Sequence, residues 1–184
     1  PNLNRIHAGM PEVGMRKTDA AGIRLSELNP YVQQIHLPDG VTKQNVEVIA
    51  KHRPQLIFEE VDHLPTKILM RKIGYRVGAA VIMATDTGDR TMIDIERYDK
   101  GYVEPFLGRL TTAELEMIES SNPTPEQTVQ IIMKLIGLEN ISVRLAISMG
   151  QIGMTLGGIA QLGTTASVGG AYAAVAGREI LLDR

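Results

Sequence analysis

Between Leu56 and Lys67 the chain reads LIFEEVDHLPTK: three apolar residues, then the carboxylates Glu59, Glu60 and Asp62, then a histidine, a proline and a lysine. A carboxylate just past the end of a buried strand can hold a hydrated Mg²⁺ that bridges phosphate oxygens. A helix begun by Pro65 would turn its N-terminus toward the same crevice, where anions are favoured. Lys67 could then reach phosphate. The plainer alternative is a solvated strand-to-helix connection whose acids only cap the helix. Neighbouring strand residues face opposite sides, so at most one of Glu59 and Glu60 would point inward, and both read as solubilising residues at a strand end.

Other chemistry-bearing residues are less convergent. ATDTGDR, Ala84 to Arg90, follows a second apolar strand, so Asp86 and Asp89 could touch substrate or metal; a hairpin turn joining two strands fits equally well. Lys67, Arg71, Lys72 and Arg76 lie mostly on one helical face, which suits an acidic partner or, more simply, solvent. The histidines at 7, 36, 52 and 63 include no i, i+4 pair, which disfavours a histidine metal site. The absence of cysteine excludes disulfides, a thiolate nucleophile and a zinc–thiolate site within this sequence, and it fits a cytoplasmic protein. A net charge of −2 gives no electrostatic case for nucleic acid.

The elements that must position these residues follow from periodicity. MRKTDAAGIRLSEL, 15–28, reads as a helix ended by Asn29–Pro30. YVQQIHL, 31–37, reads as a strand, and a helix capped by Thr42 follows, through His52. QLIF and GAAVIMAT are continuous apolar runs of the kind buried on both faces of a sheet. A helix carrying Ile68, Leu69, Met70 and Ile73 lies between them, and RTMIDIERY alternates like an edge strand. Residues 111–119 read as a short helix after a turn-rich stretch. Thr124, Pro125 and Gln127 form a strong helix start, as cap, first position and N3, for a helix to about Leu135. Leu145 to Gly177 carries no charge, but its glycines and glutamines argue for a helical pair packed on the sheet, with a break near 163, rather than a membrane span. Helices and strands in alternation predict an α/β fold, Rossmann-like, with an open, mainly parallel sheet, helices on both faces and a C-terminal helical pair.

VDHLPTKILMRK resembles the D-N-F-x-x-R segment of the ThiF/MoeB/HesA group, the adenylating enzymes related to ubiquitin-activating enzymes. NLNR at 2–5 resembles that group's N-L-x-R, and GMRKTDAAGIRLSELNP at 14–30 its G-x-x-K segment ending in N-P. QLGTTASVGGAYAAVAGREIL resembles its closing helix. The likeness is tight over the first 85 or so residues and loose afterwards. It implies one adenylation domain over 1–184 that binds ATP and Mg²⁺ and adenylates a carboxylate, such as the C-terminus of a ubiquitin-like or small carrier protein or a peptide. It implies that Asn2, Arg5 and Lys17 contact ATP phosphates, that Asp62 holds Mg²⁺, and that Arg5 and Asp62 serve the chemistry. These four would then converge on one crevice. A homodimer in the cytoplasm, without nucleic-acid or membrane partners, completes that expectation.

The departures from the group are definite. No G-x-G-x-x-G turn follows a strand, position 63 is His where Asn is usual, and no cysteine is available for thioester formation. The sequence starts where the group's first nucleotide-binding unit would end. The expectation is a domain incomplete at its N-terminus, with the Gly-rich unit removed or supplied by another chain, so that residues 1–184 alone bind ATP weakly. The competing reading is a non-catalytic relative that keeps the fold as a partner-binding or dimerising module.

Overall fold

The polypeptide folds into two compact units, residues 1–42 and 43–184. The structure is a computed structural model describing residues 5, 6, 8–120, 123–159 and 161–183. In the first unit a 3-10 turn at Met10–Glu12 precedes α1, Lys17–Leu28. The segment 31–37 is not the strand its sequence suggests. Its side chains turn back on α1 instead: Gln34 Nε2 donates to the Gly22 carbonyl at 3.2 Å and to Ser26 Oγ at 2.8 Å, and His36 Nε2 lies 3.0 Å from Gln34 Oε1. A Cβ on Gly22 would stand 2.4 Å from the His36 ring, so this approach depends on the glycine. A strand needs a partner for its backbone groups, and no described residue pairs with this segment.

In the second unit α2, Val46–Lys51, is capped at Asn45, three residues beyond the Thr42 cap expected. β1, Leu56–Phe58, leads through the acidic turn to α3, Leu64–Val77, and on to β2, Ala80–Asp86, and β3, Thr91–Arg97. β1 runs parallel to β2, with Leu56 opposite Ala80 and Phe58 opposite Ile82. β2 runs antiparallel to β3, from Ala80 opposite Arg97 to Asp86 opposite Thr91. The protein is therefore α/β with a small three-stranded mixed sheet in the order β1-β2-β3, not the open, mainly parallel sheet expected. The physical reason lies in the connection. Thr87 N–H donates to the Arg90 carbonyl at 2.9 Å, leaving Gly88 and Asp89 as a two-residue loop, whereas a parallel crossover needs a dozen or so residues. Gly88 supplies the positive φ, 99°, that such a hairpin requires at its first central position.

Pleating assigns the two faces. A Cβ on Gly74 of α3 would meet the Val81 side chain at 2.6 Å, and Lys67 and Arg71 of α3 reach Met83 Sδ. Val81, Met83, Ile57 and Glu59 thus face α3. The opposite face, with Leu56, Phe58 and Thr91, takes α7, Gly163–Leu181. There a Cβ on Gly169 would stand 2.7 Å from Thr91 Oγ1 and one on Gly177 2.7 Å from Phe58, so small residues let the helix lie close to the sheet. Thr165 Oγ1 donates to the Gly88 carbonyl at 3.0 Å and ties α7 to the hairpin. Helices cover both faces, as expected. The charge-free stretch forms α6, Val143–Met149, and α7 with a turn-rich connection between them. No helix of the described residues is long and apolar enough to cross a membrane.

The core has two parts. Ala80, Val81 and Ile82 of the central strand and Ala79 just before it are wholly buried. Beside them Leu64, Ile68, Phe106, Leu110, Ile118, Ile131 and Leu135 form one cluster. It is built by α3, the 105–110 turn, α4 (Thr112–Ser120) and α5 (Pro125–Ile136). α5 starts as its sequence dictates, with Thr124 Oγ1 accepting from Gln127 N–H at 3.2 Å and Gln127 Oε1 accepting from Thr124 N–H at 2.9 Å.

Candidate functional site

The acidic turn sorts its three carboxylates by direction. Glu59 continues the alternation of β1, shares the face of Ile57 and has a fully buried side chain. Its Oε1 accepts from Val61 N–H and from Lys67 Nζ, each at 2.9 Å, and its Oε2 accepts from Arg71 Nη1 at 2.5 Å. Arg71, itself buried, donates through Nε to Glu96 Oε1 at 2.8 Å, and its guanidinium lies 3.8 Å from the centre of the Phe106 ring. Glu96 Oε2 accepts from the Tyr98 hydroxyl at 2.6 Å and from Phe106 N–H at 3.0 Å. Burial, reinforced by the bond to Glu96, raises the Tyr98 phenol well above its ordinary range. One guanidinium thus joins β1, α3, β3 and the turn after β3.

That turn is strained. Phe106 and Leu107 both sit at φ 55°, in the left-handed region, at a cost of roughly 1–2 kcal/mol each. The buried Phe106 ring and the Phe106 N–H bond to Glu96 hold it there. Farther along the same face Asp94 is buried and paired twice with Arg109, at 2.5 and 2.8 Å.

Glu60 and Asp62 face outward. Glu60 Oε1 accepts from Ala84 N–H at 2.8 Å and so continues the β1–β2 ladder by a side chain. The residue as a whole is exposed, but its carboxylate is set against protein. Burial pushes its pKa up to about 7, with Glu59 and Asp86 adding repulsion, while the Ala84 N–H and Lys67 oppose the rise. Asp62 is exposed and makes no hydrogen bond or ion pair with any described residue. It lies four residues beyond β1 and two before α3. The first turn of α3 is held by Lys67 N–H on the His63 carbonyl at 3.0 Å and by a contact of 3.0 Å between His63 Nδ1 and Thr66 Oγ1.

Of the other candidates, Asn2 and His7 lie outside the described residues. Arg5 and Lys17 belong to the first unit; Arg5 is half-buried and engaged, and Lys17 is exposed as the first residue of α1. A recess of about 700 Å³ on the same unit is lined by Asp19, Gly22, Ser26, Gln34 and His36 among others, and by neither Arg5 nor Lys17. Asp86 and Asp89 belong to the hairpin, the plainer of their two readings. The basic series on α3 is spent on internal pairs. Lys67 goes to Glu59, Arg71 to Glu59 and Glu96, Lys72 to Glu119, and Arg76 to both oxygens of Glu47 at 2.9 and 3.0 Å. No group of three or more acidic or histidine side chains among the described residues is arranged to hold a metal on its own. A Mg²⁺ carried by nucleotide phosphates needs only one or two protein carboxylates, and the exposed, unpaired Asp62 fits that demand.

No family model matches the chain, and no solved structure matches it. A relative is found in Mycobacterium tuberculosis (strain CDC 1551 / Oshkosh), the uncharacterized protein MT1398, 32% identical over 183 residues. The match takes in 97% of this chain and 24% of the relative. The chain thus spans about a quarter of the length of the curated relative it resembles.

Proposed function

We propose that this chain serves ATP- and Mg²⁺-dependent adenylation of a carboxylate, with a Rossmann-like nucleotide fold of the ThiF/MoeB/HesA kind. The observation that carries the reading is the acidic turn. Asp62 is exposed, has no partner among the described residues, and lies beyond the carboxyl end of β1, which runs parallel to β2; in open α/β folds that strand end is the ligand-binding edge. The order of the NLNR, G-x-x-K and D-H-L-P-T-K segments supports the same reading.

In the reaction a carboxylate oxygen of the acyl substrate attacks the α-phosphorus of ATP. The bond between that phosphorus and the bridging oxygen breaks, and pyrophosphate leaves with the electron pair. Negative charge grows on phosphate oxygens, so fixed cations do the work. In this scheme Asp62 would hold the Mg²⁺ that enters with ATP, and that ion would offset the charge growing on the phosphates. The acyl substrate is the C-terminus of a ubiquitin-like or small carrier protein or a peptide, and the protein works in the cytoplasm as a homodimer.

The test is ATP binding by the full natural polypeptide, measured by equilibrium dialysis with Mg²⁺ and again with EDTA. Asp62→Ala is expected to weaken binding roughly tenfold with Mg²⁺ present and to have little effect in EDTA. Binding that is equal in the two proteins under both conditions would refute the role of Asp62 and favour a relative that keeps the fold to bind a partner.

A further inference from the structure

Glu59 does something the adenylation reading does not include. Its carboxylate reaches over the turn and accepts the N–H of Val61, the residue directly before Asp62. The same oxygen is held at 2.9 Å by Lys67 Nζ, and the other oxygen by Arg71. Lys67 is turned inward, 16% exposed, with its ammonium also 3.3 Å from Met83 Sδ. An ammonium in that position is bonded to the sheet side of the turn and is committed before any phosphate arrives.

We propose that Glu59 and Lys67 are positioning residues: the buried Lys67–Glu59 pair fixes the Val61 amide and thereby sets the direction in which Asp62 is presented. The proposal rests on the adenylation reading for what Asp62 binds, but not for the geometry of the turn. The physical argument is one of freedom. Val61 to His63 belong to no strand or helix, and a carboxylate on so short a connection samples several directions unless its backbone is tied. Here the tie is a charge-assisted bond from Val61 N–H to a carboxylate that cannot swing, because two cations on α3 grip it from the other side. Partners that orient a metal ligand are worth roughly 10–100-fold in metal affinity. A lysine that touches phosphate directly would act differently, weakening ATP binding even when Mg²⁺ is saturating.

The two roles separate experimentally in the full natural polypeptide with Lys67→Met and Lys67→Arg. With no metal or nucleotide present, hydrogen exchange of the Val61 amide is expected to rise roughly tenfold in Lys67→Met, as for a weakened bond to a charged acceptor, and to return toward wild type in Lys67→Arg. The amides of Ile68 and Ile73 in α3 should exchange as in wild type, which marks both variants as folded. With ATP present, the Mg²⁺ concentration for half-maximal ATP binding should rise roughly tenfold in Lys67→Met. ATP affinity at saturating Mg²⁺ should stay the same within experimental spread. Unchanged Val61 exchange, or ATP affinity lost at saturating Mg²⁺, overturns the positioning role. Faster Val61 exchange combined with no Mg²⁺ effect in either Lys67→Met or Asp62→Ala leaves the positioning of the turn standing and removes the adenylation reading.

Discussion

Replacing Arg71 by Met tests how the site is held. The substitution keeps a flexible stem against Phe106 and removes the only cation among the described residues that Glu96 contacts, together with one of the two that Glu59 contacts among them. The side chains of all three residues are at most 1% exposed, so water cannot replace what is lost. Removing one partner of a buried ion pair costs about 3–5 kcal/mol, because the other charge stays buried and uncompensated. Two carboxylates are deprived at once here. Glu59 keeps Lys67 and Val61 N–H, and Glu96 keeps the Tyr98 hydroxyl and Phe106 N–H, so neither is stripped bare. The expected loss is therefore about 4 kcal/mol, a large fraction of the 5–15 kcal/mol a domain ordinarily has. Protonating the orphaned carboxylates relieves the buried charge, so the loss should be smaller at pH 5 than at pH 8. Urea unfolding followed by far-UV circular dichroism at the two pH values measures both quantities. The triple variant Glu59→Gln/Arg71→Met/Glu96→Gln removes the three fully buried charges, leaving only the partly exposed Lys67 of the contacts around Glu59, and should be less destabilised than Arg71→Met alone. A loss below about 1 kcal/mol, equal at the two pH values, would refute the claim that these residues form one buried ionic unit.

Two further outcomes are expected. Thr124→Ala removes the side-chain half of the α5 capping box and should cost about 1 kcal/mol, read as a lower urea midpoint with an unchanged slope. Glu60 titrates near 7 in the folded protein against 4.5 for a free glutamate, so the folded state holds the proton more tightly. Its contribution to stability is thus fully present below about pH 4.5 and is lost as pH rises through about 7. Glu60→Gln should flatten the fall in melting temperature of the wild type between pH 5 and pH 8, and an identical slope in the two proteins would show that Glu60 is ordinary.

Much of the second unit was legible because its signals are local. The apolar runs at β1 and β2, Pro65 early in α3 and the Thr124–Pro125–Gln127 start of α5 are each a few residues whose physical meaning hardly depends on the rest of the chain. Residues 31–37 were misread because a strand depends on a partner, and Gln34 and His36 found hydrogen bonds on α1 instead. The inversion at β3 was hidden for a related reason. Its alternation was visible, but Asp94 and Glu96 are the buried members while Ile95 is 36% exposed. A polar–apolar alternation normally puts its acids in water; here Arg71 and Arg109 wait on the buried side. A signal for this was available. Lys67 and Arg71 are one helical turn apart on α3, and acids recur with strand periodicity at Glu59 and again at Asp94 and Glu96, so a cation row facing an acid row could have been sought. The exposure of Asp62 was legible, whereas the role of Glu59 was not, because nothing local distinguishes a solvated strand-end glutamate from one that α3 has buried.

Glu59 and Asp62 thus need opposite surroundings, and the short connection 59–63 supplies both. An apolar residue at position 59 would pack well against α3, and replacing buried ion networks by well-packed apolar residues often raises stability. What it would not do is fix orientation. Apolar contacts between a helix and a sheet allow small slides, whereas a guanidinium is planar with its donors in a fixed fork. Arg71 points one donor at Glu59, just past the end of β1, and another at Glu96, near the end of β3, so a displacement of α3 along the sheet lengthens one bond or the other. Lys67, one turn earlier on the same helix, carries that constraint to Glu59 and from there to the Val61 amide. The triple variant separates the two properties. If it regains stability while its Val61 amide exchanges faster than in wild type, the ionic unit serves geometry rather than strength. The acid at the end of the hydrophobic strand is then there to aim its neighbour.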